Sequence, residues 1–198
     1  MEYPFVFFPV GLNLRGRRCI VIGDDREASE KAAALHEVGA LVERIRDPAA
    51  LRDEDLSDAF FVISTPQDAA LSARLRALAD RNRFLFCAID QPRHGFVAMQ
   101  AVAKAGPVRI AISTGGISPR VGRKLKEALQ AALDASFVRF MDCLNAQRER
   151  NRSRLTSPKR REAMIEAAEG FDLEVRISYP RWFEESAARL RPEVRDAG

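Results

Sequence analysis

The clearest pattern in the chain is a short apolar run followed at once by helical spacing. The run 19–22 ends at Gly23, and over residues 27–38 apolar side chains recur at intervals of three or four. Gly39 follows at a position typical of a helix-ending glycine, and a second apolar run begins at Leu41. This order predicts a strand, a tight turn, a helix and a parallel strand, the first βαβ unit of a Rossmann-like sheet.

Later patterns predict the rest of the fold. Apolar runs at 59–63 and 84–89 indicate two more parallel strands, with a helix over 69–80 between them. Runs at 96–103 and 108–113 indicate two strands joined by a turn. Apolar residues at intervals of three or four from Leu125 to Leu144 then predict one long helix starting at Pro119. We cannot choose from the pattern between packing of this helix within the chain and packing on a second subunit.

A shorter helix is predicted over 160–169, followed by apolar residues between 171 and 183 that we expect to act as docking anchors. The fold class is therefore α/β, a Rossmann-like parallel sheet followed by a small α+β domain and a helical tail. The predicted boundaries are 1–92 for the Rossmann-like domain, 93–147 for the α+β domain and 148–198 for the tail.

Composition restricts the class of protein. No run of about 18 apolar residues indicates a membrane span, and the first residues lack the features of a secretory signal, which predicts a cytoplasmic protein. The three cysteines are widely spaced, which favours reduced thiols over a zinc site. The net charge is +4, and basic residues gather at 120–126 and 148–161. Such clusters either bind polyanions or form solvated helix faces, but without interleaved aromatic residues they do not favour nucleic-acid binding.

The first turn of the βαβ unit departs from the dinucleotide fingerprint. Gly23 and Ala28 occupy the outer positions, but Asp25 stands where the second glycine belongs, and Asp24 precedes it. A carboxylate about 4 Å from a phosphate costs roughly 4 kcal/mol at an effective dielectric constant of about 20. The turn therefore either binds a dinucleotide weakly or serves only as scaffold.

A second anion site is predicted where the long helix starts. Thr114, Gly115 and Gly116 form a glycine turn, Ser118 can cap the helix, and Pro119 suits its first position. Free backbone N–H groups at this helix end attract anions. The side chains that add positive charge there are Arg120, Arg123 and Lys124.

Asp90 is the candidate for chemistry. It follows the strand predicted at 84–89 and lies near His94, at the sheet edge where α/β proteins bind ligands. A carboxylate there can act as a general base, as a metal ligand or as a turn-former before Pro92. We expect Asp90 to converge with Ser64 and Thr65, which follow the neighbouring strand, near Gly23.

Four segments in this order and spacing resemble the precorrin-2 dehydrogenase / sirohydrochlorin ferrochelatase family, which also forms the N-terminal half of siroheme synthases. They read YPFVFFPVGLNLRGRRCIVIG, FFVISTPQD, FCAIDQP and VRIAISTGGISPRVGRKLKEAL. The resemblance implies a homodimer with an NAD-binding domain and a dimerisation domain. It also implies NAD-dependent oxidation of precorrin-2 to sirohydrochlorin and, in some members, insertion of ferrous iron.

The resemblance assigns roles to residues of this chain. Asp90 matches the aspartate implicated in both reactions, as base and as metal-handling group. NAD contacts fall on Gly23, Asp24, Asp25, Arg26, Glu27, Asp47, Pro48, Ser64 and Thr65. The expected binding site for the carboxylate-rich tetrapyrrole comprises Thr114, Gly115, Gly116, Ser118, Arg120, Arg123, Lys124 and His94. Two other readings stay open: a tetrapyrrole metal chelatase that has lost NAD, and a non-catalytic tetrapyrrole-binding protein.

Overall fold

A computed structural model describes residues 6–183 and Ser186; the rest of the predicted tail, 184–185 and 187–198, lies outside the described residues. The chain forms two compact units, Met1–Arg139 and Phe140–Gly198. The predicted division at residues 92 and 147 remains a prediction. Within the described part of the chain, no helix has the length and hydropathy needed to cross a membrane.

The first unit contains a four-stranded parallel sheet in the order β2-β1-β3-β4, as the apolar runs predict. Its strands are β1 (Arg18–Ile22), β2 (Leu41–Ile45), β3 (Phe61–Ser64) and β4 (Leu85–Ala88). Helix α1 (Arg26–Glu37) follows β1, and α2 (Ala69–Asn82) follows β3. β1 pairs with both β2 and β3, so β2 is added on one side of β1 and the later strands on the other. Gly23, directly after β1, lies at this switch point.

Strand alternation builds a core on each face of the sheet. Ile20 and Val62 point to one face, where they pack with Leu75 of α2. Val21 and Ile63 point to the other, where they pack with Leu35 of α1. Both faces of β1 and β3 are therefore covered, which explains their continuous apolar runs.

The connection from β2 to β3 is short. Two 3₁₀ segments, Pro48–Ala50 and Asp53–Leu56, take the place of a crossover helix. Leu51 and Leu56 from this connection are buried in the core on the α2 side.

A two-stranded antiparallel sheet follows, formed by β5 (Ala101–Ala105) and β6 (Val108–Ile112). The strand predicted to begin at residue 96 begins only at Ala101. The preceding segment instead turns back, where the N–H groups of Phe96 and Val97 both donate to the carbonyl of Phe86, at 2.8 and 3.0 Å.

The prediction of one helix through residue 144 is wrong. The structure has α3 (Pro119–Ala132) and α4 (Ala135–Arg152), separated at Leu133 and Asp134. Leu133 is buried, and the Asp134 carboxylate accepts a hydrogen bond from the Phe137 N–H at 2.9 Å. This side-chain cap starts a new helix, which apolar spacing alone does not reveal.

Helix α5 (Ser157–Ala167) starts three residues earlier than predicted, with Pro158 in its first turn. The expected docking of the apolar residues after it is not observed. The Phe171 ring stacks on Phe140 with centroids 5.4 Å apart, yet Phe171, Val175 and Trp182 are all more than half exposed.

Candidate active site

Gly23 ends β1 in a conformation reserved for glycine, with φ at +129°. A Cβ at this position would lie 2.2 Å from the Thr65 hydroxyl oxygen. The Thr65 N–H donates to the carbonyl of Ile22 at 3.0 Å, which fixes the two strand ends together. Glycine is required here because Thr65 packs against the turn, and the predicted approach of Thr65 to Gly23 is confirmed.

Asp25 caps helix α1. One carboxylate oxygen accepts from the Ala28 N–H at 2.6 Å, and the other accepts from the Thr65 hydroxyl at 2.7 Å. The hydrogen bond from Ala28, followed by the one from Thr65, lowers the pKa of Asp25 below its ordinary value. An ionised carboxylate therefore occupies the N–H groups at the helix end, where a phosphate binds in dinucleotide-binding folds.

Asp24 points to a different set of partners. Its carboxylate lies 3.0 Å from the Arg46 guanidinium and 3.5 Å from that of Arg44. Arg44 also donates to the Gly23 carbonyl at 3.1 Å and to the Ser29 hydroxyl at 3.1 Å. The charge of Asp24 is thus offset by two arginines, a partnership that the sequence reasoning missed.

These observations test the dinucleotide that the fold implies. In the arrangement described, the residues at the first turn do not fit its pyrophosphate, because Asp25 already holds the N–H groups that would bind it. The obstacle is therefore Asp25, because the charge of Asp24, which we also expected to repel the phosphate, is offset by two arginines.

The other predicted cofactor residues lie around this turn. Arg26 pairs with Glu30 at 2.9 Å, and Glu27 pairs with Lys31 at 3.3 Å. Asp47 caps the 3₁₀ segment that contains Pro48, by accepting from the Ala49 N–H at 2.9 Å.

Ser64 is buried at the end of β3. Its hydroxyl has no hydrogen-bond partner among the described residues. It is the one predicted cofactor residue with an unmet polar group, since Thr65 already donates to Asp25.

Asp90 lies at the lip of a cavity of about 430 Å³ in the first unit. Its φ is +59°, and its carboxylate accepts a hydrogen bond from the Gln67 amide at 3.3 Å. The Ile89 N–H donates to the Ser64 carbonyl at 2.9 Å, so β3 and β4 end side by side. The predicted convergence of Asp90 with Ser64 and Thr65 is confirmed, and Gln67 is the link that sequence reasoning did not identify.

The glycine turn forms another wall of the same cavity, through Thr114, Gly115 and Gly116. Gly115 and Gly116 have φ values of +60° and +78°, which favour glycine at both positions. The Thr114 hydroxyl donates to the Ser118 carbonyl at 3.2 Å, and the Ser118 hydroxyl accepts from the Val121 N–H at 3.3 Å. The predicted Ser118 cap is confirmed.

Helix α1 and strand β4 complete the cavity wall with Glu27, Lys31 and Cys87. Burial raises the pKa of the Cys87 thiol to about 11. Cys87 is therefore a neutral wall group and not a nucleophile at neutral pH. Lys31 was not predicted; its spacing four residues after Glu27 was the available signal.

Besides Ser118, which caps α3 and is not among the lining residues, four predicted substrate residues lie outside the described cavity lining. Arg120, Arg123 and Lys124 are exposed on the first turns of α3, and Lys124 pairs with Glu127 at 3.3 Å. His94 accepts a hydrogen bond from Arg93 at 3.2 Å. None of these four is among the described residues that line the cavity. Their expected contact with substrate remains a prediction.

The metal role of Asp90 has no preformed site behind it. Among residues 6–183 and Ser186, no group of three His, Cys, Asp or Glu side chains is placed to hold a metal ion. Cys19 and Cys87 are buried free thiols, and Cys143 is an exposed one.

The sequence of this chain is similar to those of several known proteins. A family model described as "Putative NAD(P)-binding" matches residues 10–101. A siroheme synthase of Nitrosospira multiformis is 27% identical over 177 residues, which are 78% of this chain and 38% of the relative. Siroheme synthase 1 of Pectobacterium atrosepticum is 30% identical over 175 residues, 78% of this chain and 36% of the relative.

These matches agree with the resemblance to the precorrin-2 dehydrogenase / sirohydrochlorin ferrochelatase family, and the likeness to siroheme synthases extends over most of the chain. A solved structure of SirC, precorrin-2 dehydrogenase, shares the fold, with a TM-score of 0.69 at 22% identity over 83% of this chain and 90% of that chain. The chain spans little more than a third of the length of the siroheme synthases it matches, 38% in the Nitrosospira case.

Proposed function

We propose that this chain oxidises precorrin-2 to sirohydrochlorin, with the tetrapyrrole bound in the Asp90 cavity. The observation that carries the proposal is that Asp90 and the glycine turn of Thr114, Gly115 and Gly116 line one cavity. The likeness to siroheme synthases and to SirC, precorrin-2 dehydrogenase, supports this substrate class.

Asp90 is suited to accept a proton from the macrocycle. It is exposed at the cavity lip, and Gln67 donates to one of its oxygens, which orients the carboxylate. The oxidation removes one ring proton and one hydride, and the family implies NAD as hydride acceptor. Proton removal by Asp90 does not depend on the phosphate position that Asp25 holds.

The positive end of α3 supports binding of a substrate rich in carboxylates. Its first turn follows the cavity wall at Gly115 and Gly116, and Arg120 and Arg123 are exposed there. Guanidinium groups form paired hydrogen bonds with carboxylates, so we propose that these arginines bind acid groups at the periphery of the macrocycle.

The experiment compares Asp90→Asn with wild type for conversion of precorrin-2 in the presence of NAD, followed by NADH absorbance. We expect a loss of about 100-fold to about 10,000-fold, the contribution of a positioned base. Asp80→Asn is the control, because Asp80 is an exposed carboxylate paired with Arg76 on α2. Equal activity of Asp90→Asn and wild type would contradict the proposal.

A second function is favoured by Asp25. If the phosphate position stays filled, an NAD-independent reaction of the family is left, insertion of ferrous iron into sirohydrochlorin. In that reaction the metal replaces two pyrrole N–H protons, and Asp90 would accept one of them. Absence of NAD binding at millimolar concentration, together with iron insertion that depends on Asp90, would select this function. Absence of both reactions, with tetrapyrrole binding retained, would select a non-catalytic binding protein.

The proposal includes a cytoplasmic homodimer, as the family implies. In α3 and just before it, Ile117, Val121 and Leu125 are spaced four residues apart and remain more than a third exposed. An exposed apolar stripe of this kind is typical of a subunit interface. Light scattering should give a dimer for wild type and a monomer for Val121→Asp. A wild-type monomer at micromolar concentration would contradict it.

A further inference from the structure

The basic cluster at residues 148–161 has no role in the proposed oxidation. In the structure it forms the corner where α4 ends and α5 begins, within the second unit. Four arginines line a cavity of about 430 Å³ there, together with Glu149 and Asn151. They are Arg148 and Arg152 from α4, and Arg160 and Arg161 from α5.

Contacts within the corner hold one of these arginines in place. Arg160 is half-buried and donates to the carbonyl of Arg152, the last residue of α4, at 3.1 Å. Arg152 lies 3.7 Å from the Glu149 carboxylate. Two guanidinium groups, those of Arg148 and Arg161, have no hydrogen-bond or ion-pair partner within the described part of the chain.

The charges do not balance within the cavity. Four arginines face one carboxylate, so the lining carries a net charge of +3. Convergence of like charges raises the energy of the empty site, and a bound anion relieves it. A solvated helix face explains this less well, because basic residues from two helices line one concavity.

We propose that this cavity binds a small polyanion that carries phosphate groups or clustered carboxylates. Guanidinium groups recognise both through paired hydrogen bonds, and a cavity of this volume suits a small molecule. Its described lining adds the thioether of Met164 but no aromatic ring on which a base could stack, which favours a small anion over RNA. The proposal does not depend on the activity at Asp90.

The experiment is calorimetric titration of the full chain with inorganic pyrophosphate and, separately, with citrate, at low and moderate salt. We expect saturable binding of at least one of them, weakened by salt. Arg148→Gln and Arg161→Gln should each reduce affinity about tenfold, the effect of losing a hydrogen bond to a charged group. Binding of pyrophosphate alone assigns the site to phosphates, and binding of citrate alone assigns it to carboxylates.

The matched control is the double variant Arg81→Gln, Arg176→Gln, which removes the same charge from exposed positions outside the cavity. We expect its affinity to stay within about twofold of wild type, since distant exposed charges are screened. An equal loss of affinity in the control and in the double variant Arg148→Gln, Arg161→Gln would overturn the proposal. The proposal would also be overturned if neither anion showed saturable binding. Tighter binding of a short RNA, abolished by the cavity variants, would overturn the assignment to a small anion.

Discussion

Replacement of Asp25 tests the reasoning about the phosphate turn most directly. Its carboxylate lies 2.6 Å from the Ala28 nitrogen and 2.7 Å from the Thr65 hydroxyl. A dinucleotide phosphate needs the same N–H groups, so Asp25 has to leave them and would still lie about 4 Å away. At an effective dielectric constant of about 20 this repulsion costs about 4 kcal/mol, which corresponds to about a thousandfold in affinity.

Asp25→Gly should therefore tighten NAD binding by about 100-fold to about 1,000-fold, the lower figure applying where salt screens the exposed site. Glycine is a tolerated N-cap, so the loss of the cap should cost only a few tenths of a kcal/mol. The measurement is calorimetric titration with NAD, accompanied by circular dichroism to confirm that the variant folds. Asp80→Asn, remote from the turn, controls for the change in net charge.

A second variant separates the charge of Asp25 from its occupation of the helix end. Asp25→Asn keeps a side chain able to accept from Ala28 but carries no charge. Equal tightening by both variants would assign the obstacle to charge, and tightening by glycine alone would assign it to occupation. Affinities of both variants within about twofold of wild type, with native circular dichroism, would refute the argument.

Three further predictions concern stability and reactivity. The pKa of Asp25 is lower in the folded protein than in the unfolded chain. The ionised carboxylate therefore stabilises the fold fully above the pKa of the unfolded chain, and this stabilisation is lost as the pH falls through the pKa of the folded protein. The melting temperature of wild type should fall toward that of Asp25→Asn below about pH 4. A difference in melting temperature between the two proteins that stays constant with pH would contradict this prediction. Gly23→Ala should destabilise the protein by about 2 kcal/mol or more in urea unfolding, because its Cβ would lie 2.2 Å from Thr65 at a positive φ. Gly11→Ala, in open space, should change stability by less than about 0.5 kcal/mol; equal effects would refute the steric argument. At pH 8 a disulfide reagent should modify exposed Cys143 much faster than Cys87, whose pKa is raised to about 11, and Cys143→Ser should remove the fast phase.

Much of the fold could be predicted because local pattern and tertiary structure agree there. The apolar runs gave the four parallel strands, and Gly39, with φ at +80°, lies where α1 gives way to β2. The Ser118 cap and the turn of Gly115 and Gly116 were also foreseeable. In each case the controlling interaction joins residues close in the chain, so its signal is contained in a short stretch of sequence.

The candidate site was only half predictable for the opposite reason. Asp90 and Ser64 could be expected in one region, because the carboxyl ends of neighbouring parallel strands meet at one edge of the sheet. The place of Arg120 and Arg123 outside the cavity lining could not, since it depends on the rotation of α3 against its sheet. The break at Asp134 was missed because apolar spacing continues through it, and only the side-chain cap marks it.

By itself, the sequence determined the parallel sheet, the positions of the glycine turns and the presence of an aspartate just after β4. Apolar periodicity and the conformational preference of each residue's backbone are properties of short segments. Tertiary structure alone decided what Asp24 and Asp25 do. Their partners Arg44, Arg46 and Thr65 lie in or just after β2 and β3. A carboxylate can repel a ligand, pair with a cation or occupy the ligand's place. Which of these it does depends on distances of a few ångströms, which no local pattern encodes.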